Sequence, residues 1–157
     1  MFVSQCSIHQ AFSSCNMISI TKIFRFETAH AIDGYPGDCQ HIHGHSYHLH
    51  VTVIAATQYP GYLPGTGIAV DFKDLKKIVH SSIVDHFDHY LILSKQYVAK
   101  NPQWEDHPHL FVMEVEPTAE NLLIFIRDTL QQALPPSIRL KKLKLYETPD
   151  SFACWEP

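Results

Sequence analysis

Alternation of apolar and polar residues organises the first third of the chain. Over residues 18–27 the apolar side chains Ile18, Ile20, Phe24 and Phe26 hold even positions, the pattern of a strand with one buried face. Residues 45–55 alternate more strictly. Tyr47, Leu49, Val51, Val53 and Ala55 fall on one face, and Ser46, His48, His50 and Thr52 on the other. Residues 59–67 carry Pro60, Gly61, Pro64, Gly65 and Gly67 and read as a turn-rich connection. The period then changes to that of a helix. Asp71 is placed to cap a helix that buries Phe72, Leu75, Ile78, Val79 and Ile83. A second helix is predicted after Pro117, capped by Thr118. It buries Leu122, Phe125, Ile126, Thr129, Leu130 and Ala133 and stops before Pro135 and Pro136. Between the helices, residues 94–109 are polar and read as a surface loop, and 110–116 as a short strand. Leu143, Leu145 and Glu147 share one face of a later strand, and residues 152–155 form the last.

Grouped strands and grouped helices, rather than strict alternation, indicate an α+β domain with an antiparallel sheet. Two helices cover one face of four strands, so the other face calls for a partner copy. The length, 157 residues, is that of one domain. With 45% hydrophobic and 18% charged residues and a net charge of −4, the chain is neither a disordered tail, a coiled coil nor a basic nucleic-acid binder. Residues 1–17 contain no Lys or Arg, and no stretch approaches the roughly 18 apolar residues of a membrane helix. We therefore expect a cytoplasmic protein with reduced thiols and no membrane partner. Pattern starts only at Met17, so residues 1–16 are expected to be a disordered extension of a single domain over 17–157.

Histidine changes the picture. The chain has 12, as many as Lys and Arg together. His43-Gly44-His45 directly precedes the second strand, and residues two apart in extended chain point the same way. His30 has the buried parity of the first strand if that phase continues past Thr28. Three neutral imidazoles with one open position make a catalytic zinc arrangement. The alternative is three histidines that cap strands or bond to backbone. His48 and His50 repeat the spacing on the polar face and read as solvated surface.

Three further features carry chemistry. Cys39 lies on a Gly- and Pro-bearing segment four residues before His43, as a fourth ligand, an acid/base group or an inert thiol. Asp88-His89 pairs a carboxylate with an imidazole, which suits proton transfer near neutrality. Glu147 continues the apolar parity of Leu143 and Leu145, so its carboxylate needs a partner. That partner is either a donor–donor ligand edge, such as a 2-amino-4-oxo pyrimidine ring, or a salt bridge.

In order, the chain carries Phe26-Glu27-Thr28-Ala29-His30, Cys39-Gln40-His41-Ile42-His43-Gly44-His45, Asp71-Phe72, Asp88-His89, Pro117-Thr118-Ala119-Glu120-Asn121 and Tyr146-Glu147-Thr148. This resembles the 6-pyruvoyltetrahydropterin synthase / 6-carboxytetrahydropterin synthase family over nearly the whole chain. The resemblance implies a T-fold, an antiparallel four-stranded sheet with two helices on one face. Three units close a twelve-stranded β-barrel, and two trimers stack into a hexamer with active sites between subunits. It also implies Zn2+ on His30, His43 and His45, with Cys39, Asp88 and His89 moving protons. Glu147 would anchor the pterin, with Thr118 and Glu120 near it. The implied substrate is 7,8-dihydroneopterin triphosphate. The Cys-x3-His-Gly-His spacing resembles the carboxy branch, since the pyruvoyl type usually has two more residues in that gap. The expected reaction is therefore that of a lyase releasing triphosphate and acetaldehyde and leaving 6-carboxytetrahydropterin, toward queuosine. A pyruvoyl synthase, or an idle pterin- or metal-binding member, is the alternative. The insert at about 94–115 is longer than in compact members.

Overall fold

Residues 18–57, 59 and 61–157 are described by the computed structural model; the extension expected at 1–16 lies outside them. Strand β1 (Ser19–His30) pairs antiparallel with β2 (His43–Ala55) along its full length, from Ser19 opposite Ile54 to His30 opposite His43. Residues opposite each other in a sheet share a face, so the even residues of β1 meet the odd residues of β2. Phe24 faces Leu49, Phe26 faces Tyr47, and Thr28 faces His45. All six are on the covered side. The phase of β1 runs unbroken through Thr28 to His30, which is 1% exposed.

The sheet has six strands, not the expected four, in the order β4-β3-β1-β2-β5-β6. Strands β5 (Ile138–Thr148) and β6 (Ser151–Trp155) extend it antiparallel beyond β2. On the other side, β3 (Tyr90–Ser94) runs parallel to β1, and β4 (Leu110–Met113) parallel to β3. The sheet is thus mixed, and its purely antiparallel part is β1-β2-β5-β6. Strand β3 has no alternation to read, because Leu91, Ile92, Leu93 and Ser94 are all buried; strands in a parallel arrangement are covered on both faces.

Helix α1 (Phe72–Val79) is capped by Asp71, whose side chain accepts from the Lys73 N–H at 2.6 Å. It continues through a π-helical segment, His80–Val84, into the single turn α2 (Asp85–Phe87). Helix α4 (Ala119–Ala133) is capped by Thr118, whose hydroxyl accepts from the Asn121 N–H. Leu75, Val79, Ile83 and Phe87 from the first unit, and Leu122, Ile126 and Leu130 from α4, are fully buried against Tyr47, Leu49, Val51, Leu143 and Leu145. Each such side chain contributes about 1.5–3 kcal/mol by leaving water. Three expected core positions are not core. Ile18 lies just before β1 and is about half exposed. Phe72 is half exposed at the first turn of α1, and Ala133 is exposed at the last turn of α4.

Residues 94–109 are not an irregular loop. Ser94 caps helix α3 (Lys95–Lys100) by accepting from the Tyr97 N–H, and a 3-10 turn, Pro102–Trp104, follows. Tyr97, Val98 and Trp104 pack on Ala31, Leu91 and Leu93, a small second core on the far side of β3. The rest of that outer sheet face stays open, with Ile23 and Phe152 about half exposed.

Candidate active site

The end of β1 and the start of β2 place His30, His43 and His45 side by side. Their ring centroids are 4.5–5.2 Å apart, and one ligand atom from each lies within 4.8 Å of the others. Gly44 permits the close approach of the two strands. A Cβ there would sit 3.3 Å from the Thr28 carbonyl oxygen and 3.7 Å from Ala29 Cα.

Hydrogen bonds decide which nitrogens are available. His30 Nδ1 lies 2.6 Å from the Pro117 carbonyl, and His43 Nδ1 lies 2.8 Å from the His41 carbonyl. A carbonyl only accepts, so each imidazole carries its proton on Nδ1 and presents a lone pair at Nε2. Those two Nε2 atoms face each other at 3.1 Å. Two lone pairs at that distance repel unless a cation or an added proton lies between them. Burial, followed by the neighbouring His43 and His45, holds the His30 pKa below its ordinary value, against the pull of the Pro117 carbonyl and Glu147. His30 is therefore held as the neutral imidazole that metal ions bind. Carbonyls that fix the tautomer from behind are the usual support of metal-ligating histidines. The donor set fits a divalent metal with an open coordination position.

A single ring links this triad to Glu147. The Tyr47 ring is 5.5 Å from His45 and 6.2 Å from His30, and its hydroxyl donates to Glu147 Oε1 at 3.0 Å. Burial, reinforced by the Glu147 carboxylate, raises the Tyr47 pKa far above the usual phenol range, so the phenol stays a donor. Glu147 is half-buried. Its expected partner is thus in part internal, and neither a Lys nor an Arg.

Asp88 and His89 form the predicted pair. Asp88 Oδ1 accepts from the Glu27 N–H at 2.9 Å and lies 3.1 Å from His89 Nδ1. The His89 N–H donates to the Glu27 carbonyl at 2.7 Å, and the residue adopts a left-handed backbone, φ 62°. With Nδ1 turned to Asp88, Nε2 is left to take or give a proton.

Two clefts meet at Gly44, His45 and Ser46. One, of about 530 Å³, is also lined by Glu27, His89, Trp104 and His107. The other, of about 570 Å³, is lined by His48, His50, Tyr146 and Glu147. His45 thus joins the predicted proton pair to the predicted carboxylate anchor. Cys39 stands apart. It is a half-buried free thiol in the 3-10 turn Asp38–Gln40 and lines neither of these clefts. Thr118 serves as a helix cap, and Glu120 is exposed in the first turn of α4. Sequence reasoning missed the Pro117 carbonyl, Glu27 with its partner Ser46 (Oγ to Oε2, 2.7 Å), and the cleft residues Trp104 and His107. Only Trp104 had a signal, as a large apolar residue inside a polar stretch.

Residues 19–157 match the family described as 6-pyruvoyl tetrahydropterin synthase. The chain belongs to the 6-pyruvoyl tetrahydropterin synthase family. It is 33% identical over 141 residues to the 6-carboxy-5,6,7,8-tetrahydropterin synthase of Haemophilus influenzae, covering 87% of this chain and 96% of that one. It is 32% identical over 114 residues to the human 6-pyruvoyl tetrahydrobiopterin synthase, covering 73% and 66% of the two chains. Its fold is that of the 6-pyruvoyl tetrahydropterin synthase of Caenorhabditis elegans, with a TM-score of 0.63, 21% identity and coverage of 90% and 96%. The mixed sheet with its helices is therefore a T-fold, and the chain is a pterin synthase of the lyase type. Among the described residues no helix is long and apolar enough to cross a membrane.

Proposed function

We propose that this family member is a zinc-dependent 6-carboxytetrahydropterin synthase, acting on 7,8-dihydroneopterin triphosphate and releasing acetaldehyde and triphosphate on the route to queuosine. The facing Nε2 atoms of His30 and His43, with His45 beside them, carry the reading. The Cys-x3-His-Gly-His spacing and the Haemophilus influenzae relative favour the carboxy product. Bound zinc, held by His30, His43 and His45, would stabilise oxyanions developing on the substrate side chain and so acidify the adjacent C–H.

The chain's own residues do the rest. Glu147 accepts from the amino and ring N–H groups of the pterin, with Tyr47 fixing one of its oxygens. Asp88 orients His89, whose Nε2 moves a proton at the cleft surface. Cys39 is the second proton-transfer group. Thr118 sets the start of α4 near the pterin, and Glu120 flanks it. Cys39 lies outside the cleft that His89 lines, and one sheet face is uncovered, which supports trimers or hexamers whose sites combine residues of different subunits. We place the enzyme in the cytoplasm, as one domain over 17–157.

Mass spectrometry of the products from dihydroneopterin triphosphate tests the reading. Acetaldehyde with 6-carboxytetrahydropterin is expected. A 6-pyruvoyl product without acetaldehyde would assign the chain to the reaction named for the human relative. Pterin or metal binding without turnover would make it an idle member.

A further inference from the structure

The loop between β1 and β2 carries Cys39, and it is tied down at points the proposed mechanism does not use. At its start, the Asp33 N–H donates to Glu116 Oε2 at 2.7 Å, and the Asp33 carboxylate takes the Lys100 ammonium of α3 at 2.5 Å. In its middle, the Ile32 N–H donates to the Cys39 carbonyl at 2.9 Å. At its end, the His41 carbonyl accepts from the Nδ1–H of His43. Glu116 also precedes Pro117, whose carbonyl holds His30, and its own carbonyl accepts from the Asn121 side chain at 2.9 Å. The contacts close a ring: His30, Pro117, Glu116, Asp33, the Ile32–Cys39 bond, His41, His43, and back to His30 across 3.1 Å. Every link but the last is a hydrogen bond or one to two residues of chain, and the last is the pair of Nε2 atoms that face each other in the triad. Glu116 is the side chain that joins the loop to the backbone supporting His30. Lys100 brings the segment between β3 and β4 into the same ring.

We propose that Glu116 is a positioning residue that holds the Cys39 loop in register with the histidine triad, and that Lys100, through Asp33, makes α3 a second brace on that loop. This rests on the proposed role of Cys39 for its effect on turnover. Its effect on the loop is independent of the reaction.

The test uses the full-length, metal-loaded protein and the variants Glu116→Ala, Glu116→Gln and Lys100→Ala. Two quantities are read: steady-state turnover of dihydroneopterin triphosphate, and the rate of iodoacetamide alkylation at each cysteine, resolved by peptide mass spectrometry. Cys154, exposed on β6, serves as the internal reference. In Glu116→Ala we expect kcat to fall about tenfold with KM within about twofold, because a displaced acid/base group costs rate more than binding. Alkylation of Cys39 should rise several-fold while that of Cys154 stays constant. The Gln variant keeps an oxygen that accepts from Asp33 and should stay near the parent in both readouts. Lys100→Ala should lie between. Equal behaviour of the Ala and Gln variants overturns the proposal, as does an unchanged Cys39 rate in Glu116→Ala or an equal rise at Cys154. If the parent does not turn over this substrate yet Cys39 responds as expected, the brace stands and the proposed reaction fails. Normal turnover with an unmoved Cys39 rate gives the opposite result.

Discussion

Strand β2 carries the same pattern twice, His43-Gly44-His45 and His48-Leu49-His50, and the two copies have different fates. The odd-numbered pair points to the covered side of the sheet, where the register of β1 sets His30 opposite His43. The even-numbered pair points to the open face. Across from His48 stand Arg25 and Tyr146, and across from His50 stand Ile23 and Lys144. None of these supplies a third neutral imidazole. Partial burial, with Lys144 and His48 nearby, lowers the pKa of His50, yet among the described residues no metal-ligating cluster forms around it. Spacing within a strand thus brings two imidazoles together, and the register with the neighbouring strand decides whether a third arrives.

The sharpest break in this comparison is a deletion on the covered side. His30→Ala or His45→Ala should bring metal content, read by elemental mass spectrometry, to background, and turnover should vanish with it. Next in size, Cys39→Ala should keep one metal per chain and lose turnover by about 10²–10⁴-fold, the range for an acid/base group. Full activity in that variant would remove the thiol from the chemistry. A smaller effect is expected at the crossing of β1 and β2. Gly44→Ala puts a methyl against backbone that must yield by a few tenths of an ångström, so thermal or urea unfolding should register about 1 kcal/mol of lost stability. A chelator competition titration should show weakened metal binding in the same variant. The double variant His48→Ala/His50→Ala should leave metal stoichiometry unchanged. If it removed the metal, parity would not be what separates the two pairs.

Much of this was readable in one dimension. The alternation of β1 and β2, the caps Asp71 and Thr118 and the phase of His30 are local patterns, because a strand's faces and a helix's first turn are set by nearest neighbours. What escaped depends on distant partners. Strand β3 is buried on both faces because two layers cover it, and an apolar run as short as Tyr90 to Leu93 cannot announce that arrangement. Helix α3 is too short to show a clear period, and its Tyr97 and Val98 find their apolar surface on Ala31 and Leu93. Phe72 has helical spacing but sits at the end of α1, beyond the sheet's cover, with the Lys22 ammonium 5.8 Å above its ring. The support of His30 comes from a main-chain oxygen, a group that every residue possesses, so no side-chain pattern can reveal it.

The left-handed backbone at His89 bears on how the protein balances folding against use. A side chain with a Cβ is held there at a cost on the order of 1 kcal/mol. A glycine would adopt the same turn freely and keep the N–H bond to the Glu27 carbonyl. The imidazole at this position therefore works against the stability of its own turn. A search for more heat-resistant variants would be drawn to glycine at position 89, and given the proposed role of His89 the protein it selected would fold better and catalyse worse.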